Sequence, residues 1–198
     1  MAYKIITAAT TEPITLAEAR SHLRIEAFGS PLAHPDDAQI AMMITSAREW
    51  CEQYTSRAFA VQTIEMAMDI FPDAIELPLV PTNSITSVTY SDTANATQTL
   101  SNTVYLLDDY SKPNKLALTL NSVWPSTSEV TNNIKVRMVV GNTSVTIPSP
   151  IKSAILLLIG SLYENRQEDL QSSSRATFNS LPLGVYNLLQ PYRLALGV

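Results

Sequence analysis

The sequence predicts an α+β fold: a mainly helical core of about four helices, with an antiparallel β-rich segment inserted between the second and third. Three observations carry this. Apolar residues recur at helical spacing on either side of the middle of the chain, the spacing changes to two after Phe59, and a final apolar run follows a polar linker near the C-terminus. The divisions that result are 1–58 as the N-terminal helical part of the core, 59–147 as the β-rich insertion, and 148–198 as the C-terminal helical part with a docking tail.

Thr15 opens the first predicted helix. Its hydroxyl can cap the amide of Glu18 while Glu18 reaches back, a T-x-x-E capping box preceded by Pro13. Leu16, Ala19 and Leu23 form the inward stripe, and the helix should end near Ile25. The second helix starts around Pro35-Asp36-Asp37, where fixed proline geometry and two carboxylates suit the positive end of the helix dipole. Its stripe is Ile40, Met43, Ile44, Ala47, Cys51 and Tyr54, with Trp50 at the edge.

Beyond Phe59, Ile64, Met66, Met68 and Ile70 alternate with Thr63, Glu65, Ala67 and Asp69, as in a half-buried strand. Further strands are predicted at Ile85–Tyr90, Val104–Leu107, Leu116–Leu120 and Ile134–Val140, about five in all and mostly antiparallel, separated by Ser, Thr, Asn and Asp clusters. Ser149-Pro150 then reads as a cap and first-turn proline for a third helix running to about Asn165. Ile151, Ala154, Ile155, Leu158 and Leu162 point inward. Leu156, Leu157 and Ile159 should face away, so this helix is either central to a bundle or covered by another subunit.

The C-terminal run places Leu181, Val185, Leu188 and Leu189 at near-helical spacing, with Pro182 in a first turn and Pro191 ending it. The linker before it, Gln167 to Ser180, contains Gln-Ser-Ser-Ser and no apolar pair. Two readings stand: a last core helix reached across a loop, or a tail that becomes ordered only when it docks on a partner.

Composition narrows the function. Lys and Arg number 13 against 18 Asp and Glu, a net charge of −5 that argues against general affinity for nucleic acid phosphates. The acidity is concentrated in the middle of the chain. Cys51 is the only cysteine, which excludes an internal disulfide and a thiolate metal cluster and fits a reducing compartment. The N-terminus lacks a sustained apolar stretch, and the longest apolar run, Ala154 to Ile159, falls far short of the roughly 20 residues that span a bilayer. No membrane role is expected.

Catalytic chemistry finds little support. Only five glycines occur, at 29, 141, 160, 184 and 197, so neither G-x-x-x-x-G-K nor G-x-G-x-x-G can be written. His22 and His34 lack the i, i+4 pairing that brings two imidazoles to one metal. Asp36-Asp37 reads as helix-start charge and Asp108-Asp109 as turn chemistry. Cys51 lies on an apolar stripe, where an inert thiol is expected. The sequence therefore predicts no catalytic, cofactor or metal site. Its candidate site is an interface: Leu156, Leu157, Ile159, Leu181, Pro182, Tyr186, Leu188, Leu189, Pro191, Tyr192 and Arg193, the last two being residue types enriched at interface hot spots.

Three stretches carry a family resemblance. Glu12-Pro13-Ile14-Thr15-Leu16-Ala17-Glu18-Ala19-Arg20-Ser21-His22-Leu23-Arg24 is followed by Asp36-Asp37 and a helix running into Arg48-Glu49-Trp50-Cys51-Glu52 and Thr55. Ser161-Leu162-Tyr163-Glu164-Asn165-Arg166 ends the third helix, and Leu181-Pro182 through Leu188-Leu189, then Pro191-Tyr192-Arg193, closes the chain. In this order they resemble the head-to-tail connector, or adaptor, proteins of long-tailed bacteriophages, over about half the chain; Phe59 to Ile147 has no matching signature.

The resemblance implies a non-enzymatic virion protein of the phage neck, assembled in the host cytoplasm. It implies a homo-oligomeric dodecameric ring with a helical core, contacts with the portal protein above and a stopper or tail-completion protein below, and a channel that DNA crosses without sequence-specific binding. Competing readings are another neck component such as a stopper or tail terminator, a non-catalytic binding module, and a hydrolase using scattered carboxylates. Stoppers and terminators are more strand-dominated, so the two N-terminal helices argue against them.

Overall fold

The computed structural model describes residues 3–26, 28, 33–142, 147–165 and 183–194. In chain order these form β1 (Tyr3–Thr7), α1 (Leu16–Leu23), α2 (Asp37–Thr55), β2 (Gln62–Met68), β3 (Ala74–Glu76), β4 (Thr82–Ser91), β5 (Thr97–Thr99), β6 (Tyr105–Asp108), β7 (Lys115–Leu118), β8 (Ile134–Val140), α3 (Ser149–Glu164) and α4 (Leu183–Leu189), followed by a 3-10 turn at Gln190–Tyr192. They divide into two compact units. A β-rich unit comprises Met1–Thr11, Ser56–Ser144 and Leu194–Val198, and a helical unit comprises Glu12–Thr55 and Val145–Arg193.

The expected helical core with a central β insertion is thereby corrected to a mixed α+β fold, with four α-helices and eight strands in two antiparallel sheets among the described residues. The strands are not a passenger in a helical core. They have their own buried cluster, and they begin before α1, with β1 pairing antiparallel to β2. The larger sheet runs β1-β2-β8-β4-β5 and the smaller β3-β7-β6.

The β-rich unit is built on β8, which is paired along one edge to β2 and along the other to β4. Ile134, Val136, Met138 and Val140 are all fully buried, as the period of two requires when one face of a strand meets the core. Ile64 and Met66 of β2, Val88 of β4, Ile75 of β3 and Leu116 of β7 complete that core. Ile70, predicted on the inward face, lies past the end of β2 and is 70% exposed. Gly141 follows β8 with φ +106°, and a Cβ there would fall 2.0 Å from the Ala60 carbonyl oxygen, so only glycine fits the turn.

On the other face of the larger sheet, register places Lys4, Glu65 and Arg137 side by side across β1, β2 and β8. The Lys4 ammonium is 2.9 Å from Glu65 and the Arg137 guanidinium 2.7 Å. The bond from Lys4, then that from Arg137, holds the Glu65 carboxyl below its ordinary value. Phe71 and Trp124 stack with centroids 4.7 Å apart, and Tyr90 meets Phe71 edge-on.

In the helical unit, α1 opens with the predicted capping box: Glu18 N–H donates to Thr15 Oγ1 at 3.1 Å and Thr15 N–H to Glu18 Oε2 at 2.8 Å. It closes on Arg24 in the left-handed region. At α3 the N-cap is Pro148, not Ser149, and no side chain caps it; Pro150 does occupy the first turn. The helix packs against α1, α2 and α4. That wide contact explains why Ile159 is fully buried beside Ile151, Ala154, Ile155 and Leu158, although a single stripe predicted it outside, and Leu162, predicted inside, is 39% exposed.

Two charges were unexpected in the core. Arg48 and Glu52 of α2 are buried, and Arg48 donates to Glu52 at 2.6 Å and to Glu12 at 2.8 Å, while Thr45 donates to the second Glu12 oxygen at 2.9 Å. Burial opposes the charge on Arg48, but Glu52 and Glu12 outweigh it and the net shift is upward, so the guanidinium stays ionised.

Two outcomes follow for stability. Glu65 is stabilised as a carboxylate in the folded state, so its contribution is present above its ordinary pKa of 4.5 and is lost as pH falls through the lower folded value. Urea titrations at descending pH should show that loss in the wild type and a shallower one in Glu65→Gln. Removing the Arg48 guanidinium leaves the buried Glu52 carboxylate without that partner, so Arg48→Ala should cost about 3–5 kcal/mol in equilibrium denaturation of the full chain.

Candidate functional site

The predicted interface residues gather on α3, α4 and the turn after it, all in the helical unit. On α3, Leu157 is 37% exposed, Leu156 half-buried and Ile159 buried. Of the C-terminal set, Leu181 and Pro182 lie outside the described residues. Tyr186, Leu188 and Tyr192 are half-buried, Leu189 is fully buried, and Pro191 and Arg193 are exposed.

This segment is a packed helix. Val185 and Leu189 are fully buried where α4 packs on α3 and α2. The approach to α3 is close: a Cβ at Gly184 would be 3.8 Å from Leu157 Cδ1. Residues 183–189 thus form a helix packed on α3 and α2, where the apolar positions at i and i+4 find a ready face.

An aromatic cluster fixes α4 on its outer side. Trp50 and Tyr54, one turn apart on α2, stack with ring centroids 5.3 Å apart and planes 8° from parallel. Tyr186 meets both edge-on, at 5.6 and 5.4 Å. The Tyr54 hydroxyl donates to Gln190 Oε1 at 2.9 Å, and the Arg193 guanidinium lies 5.5 Å from the Tyr54 ring centroid. Sequence reasoning named Tyr186 and Arg193 but put Tyr54 on the buried stripe and Trp50 at its edge. The available signal was the i, i+4 aromatic pair on α2.

A polar network ties the other end of the unit together. Asp37 receives Arg20 Nε at 2.7 Å, a second bond from Arg20 Nη2, and the His34 amide at 2.8 Å. Tyr163 of α3 donates to Asp36 at 2.7 Å. The Arg20 bonds first, then that from His34, hold the Asp37 carboxyl below its ordinary value. The two aspartates thus join α2 to α1 and α3 as well as occupying a helix start. Burial, then Glu52, pushes the Cys51 thiol up to about 12, which makes it a poor nucleophile. In the other unit, Asp108 accepts from the Tyr110 and Ser111 amides as a turn residue should.

Among the described residues no group of three His, Cys, Asp or Glu side chains could hold a metal ion, and no helix is long and apolar enough to cross a membrane. At the surface of this unit the arrangement leaves Leu157, Pro191 and Arg193 exposed.

Folds of this class occur in phage-like neck particles. The structure is similar to a chain in the neck of an empty gene transfer agent (GTA) particle computed with C6 symmetry, at 21% identity and a TM-score of 0.77, covering 100% of this chain and 98% of that one. It is also similar to chains in the virion of a native GTA particle (20%, 0.76, again 100% and 98%) and in the neck of a native GTA particle computed with C12 symmetry (21%, 0.72, 100% and 98%). The shared fold extends from end to end. No family model matches the sequence, and no curated protein does.

Tyr54→Ala removes the stack on Trp50, the edge contact with Tyr186 and the bond to Gln190 together and should destabilise the helical unit by about 2 kcal/mol, whereas Tyr54→Phe should cost under about 1 kcal/mol. Thermal or urea denaturation of the two variants checks this, and equal losses would mean that the hydroxyl, not the ring cluster, secures α4.

Proposed function

We propose that this chain is a structural subunit of the neck of a phage-like particle: a head-to-tail connector forming a twelve-membered ring beneath the portal, bridging it to a stopper or tail-completion protein and leaving a channel for DNA. The observation that carries the reading is the fold similarity to chains of GTA neck particles over the whole length of the chain. Their C6 and C12 symmetries suit a ring of identical subunits.

The surface of the helical unit supports it. Leu157 and Leu162 of α3 and Met42 of α2, the last 65% exposed, are apolar groups that a neighbouring subunit can cover. Arg193, held over the Tyr54 ring, and the exposed Pro191 present an edge to the portal or the next ring component. The net charge of −5 suits a channel wall, because each Lys or Arg contact to DNA phosphate would have to be broken as the strand passes.

Electron microscopy and light scattering of the purified chain, alone over a concentration series and with its cognate portal, test this. A closed twelvefold ring seated on the portal is expected. Met42→Glu, at the more exposed position, should reduce ring formation without lowering the melting temperature. A stable dimer indifferent to portal would rule the connector out, and a ring that binds tail components but not portal would assign the chain to another level of the neck.

A further inference from the structure

The loop joining β2 to β3, Asp69-Ile70-Phe71-Pro72-Asp73, bounds an apolar hollow of about 340 Å³ in the β-rich unit. Met66 and Met68 of β2, Ile70 and Pro72 of the loop and Ile75 of β3 line it. Phe71 does not, because its ring stacks on Trp124. Ile70 is 70% exposed, and Asp69, Pro72 and Asp73 are exposed beside it. Among the described residues neither Asp69 nor Asp73 is paired with a cation; Asp69 accepts the Asn132 amide at 2.6 Å. Glu76, also in the lining, lies 3.4 Å from Lys115, and Lys135 stands across from Ala67 in register. Three carboxylates thus surround the hollow against two cations. Such a seat favours an apolar side chain with a cation next to it.

The helical unit carries that combination. Residues 183–194 include no acid, and Pro191 and Arg193 are exposed there. The Arg193 guanidinium lies 5.5 Å from the Tyr54 ring centroid, and its backbone amide donates to the Gln190 carbonyl at 3.3 Å. Among the described residues no carboxylate pairs with it. The other exposed cations in the same position fit less well: Arg24 is two residues from Glu26, Lys112 three from Asp109, and Lys135 already stands beside the hollow.

We propose that in the assembled neck Pro191 of one copy seats in the hollow of the next, placing Arg193 against Asp69 and Asp73. This rests on the neck-ring reading above and gives Arg193 to the neighbouring copy, not to the portal. The two surfaces differ and belong to different units of the chain, so the contact is heterologous, of the kind that closes rings. Arg is among the residues that carry interface energy, and one already held over an aromatic ring gives up little further freedom on binding.

Charge exchange tests the contact, with ring yield read by electron microscopy and light scattering in the presence of portal. Asp73 is the position to change, since Asp69 also holds the Asn132 amide. Arg193→Glu sets carboxylates together and Asp73→Arg sets guanidinium groups together, so each variant alone should form rings with about tenfold lower yield. An equal mixture of the two should recover them. In an alternating ring of twelve, every contact is then either the original pair or its exchange, and no single chain carries both changes. The double variant should recover as well. Ile70→Glu, at an exposed position, should lower the yield to a similar degree with an unchanged melting curve, because it puts a charge in the apolar seat. Arg193→Glu, Asp73→Arg or Ile70→Glu chains that assemble as the wild type does overturn the contact and leave the neck reading standing. So does a loss that neither the mixture nor the double variant recovers. Recovery in the double variant but not in the mixture overturns it in favour of a pairing within one chain. A wild-type chain that forms no ring with or without portal defeats the neck reading and this contact with it.

Discussion

The β-rich unit depends on one constraint: the backbone of β8 must be satisfied on both sides at once. Its partners come from widely separated parts of the sequence, β2 some seventy residues upstream and β4 some fifty. A buried strand leaves no water for its amides and carbonyls, so neither ladder can be dispensed with. The alternation of Ile134, Val136, Met138 and Val140 sets which face meets the core, and this fixes the registers of β2 and β4. The Lys4, Glu65 and Arg137 row then extends that register to β1, an exposed strand with no buried side chain of its own.

The helical unit solves a different problem. Three helices round α3 can bury apolar stripes without a fixed register, so packing alone leaves room for sliding. Directional contacts remove it. Asp37 must take both Arg20 nitrogens and Tyr163 must meet Asp36, contacts that set α2 against α1 and α3, while Arg48 must reach Glu52 on its own helix and Glu12 in the segment before α1 together. A buried ion pair is weak evidence of net stability but good evidence of specified geometry, since shifting one partner leaves the other desolvated and alone.

Signals that are local or strongly periodic were legible in the sequence. The Thr15–Glu18 box needs only residues three apart, and α2, α3 and β8 carry long apolar patterns. What sequence missed lacks such a pattern. β3 and β5 have three residues each, and β1 is exposed throughout, so pairing rather than periodicity makes them strands. Missing β1 is what made the β-rich part look like an insertion. The burial of Arg48 was illegible because its i, i+4 pairing with Glu52 reads as an ordinary surface pair, and its other partner, Glu12, is 36 residues away. The candidate site was half legible: residue types marked Tyr186 and Arg193, but Ile159 and Leu189 are buried, because a helix surrounded by several others hides more than one stripe.

The C-terminal segment shows how one sequence signal divides into two jobs. A hydrophobic run after a polar linker can mean docking or core, and periodicity alone does not choose between them. Here Val185 and Leu189 are spent inside the subunit, so they cannot also bind a partner. Exposed beside them are Gly184, Asn187, Gln190, Pro191 and Arg193, and Arg193 is placed by the Tyr54 ring and the Gln190 carbonyl. A guanidinium held over a ring has already lost much of its conformational freedom, and that loss need not be met again on binding. The buried leucine and valine therefore help to place Arg193 indirectly, by seating the helix that precedes it.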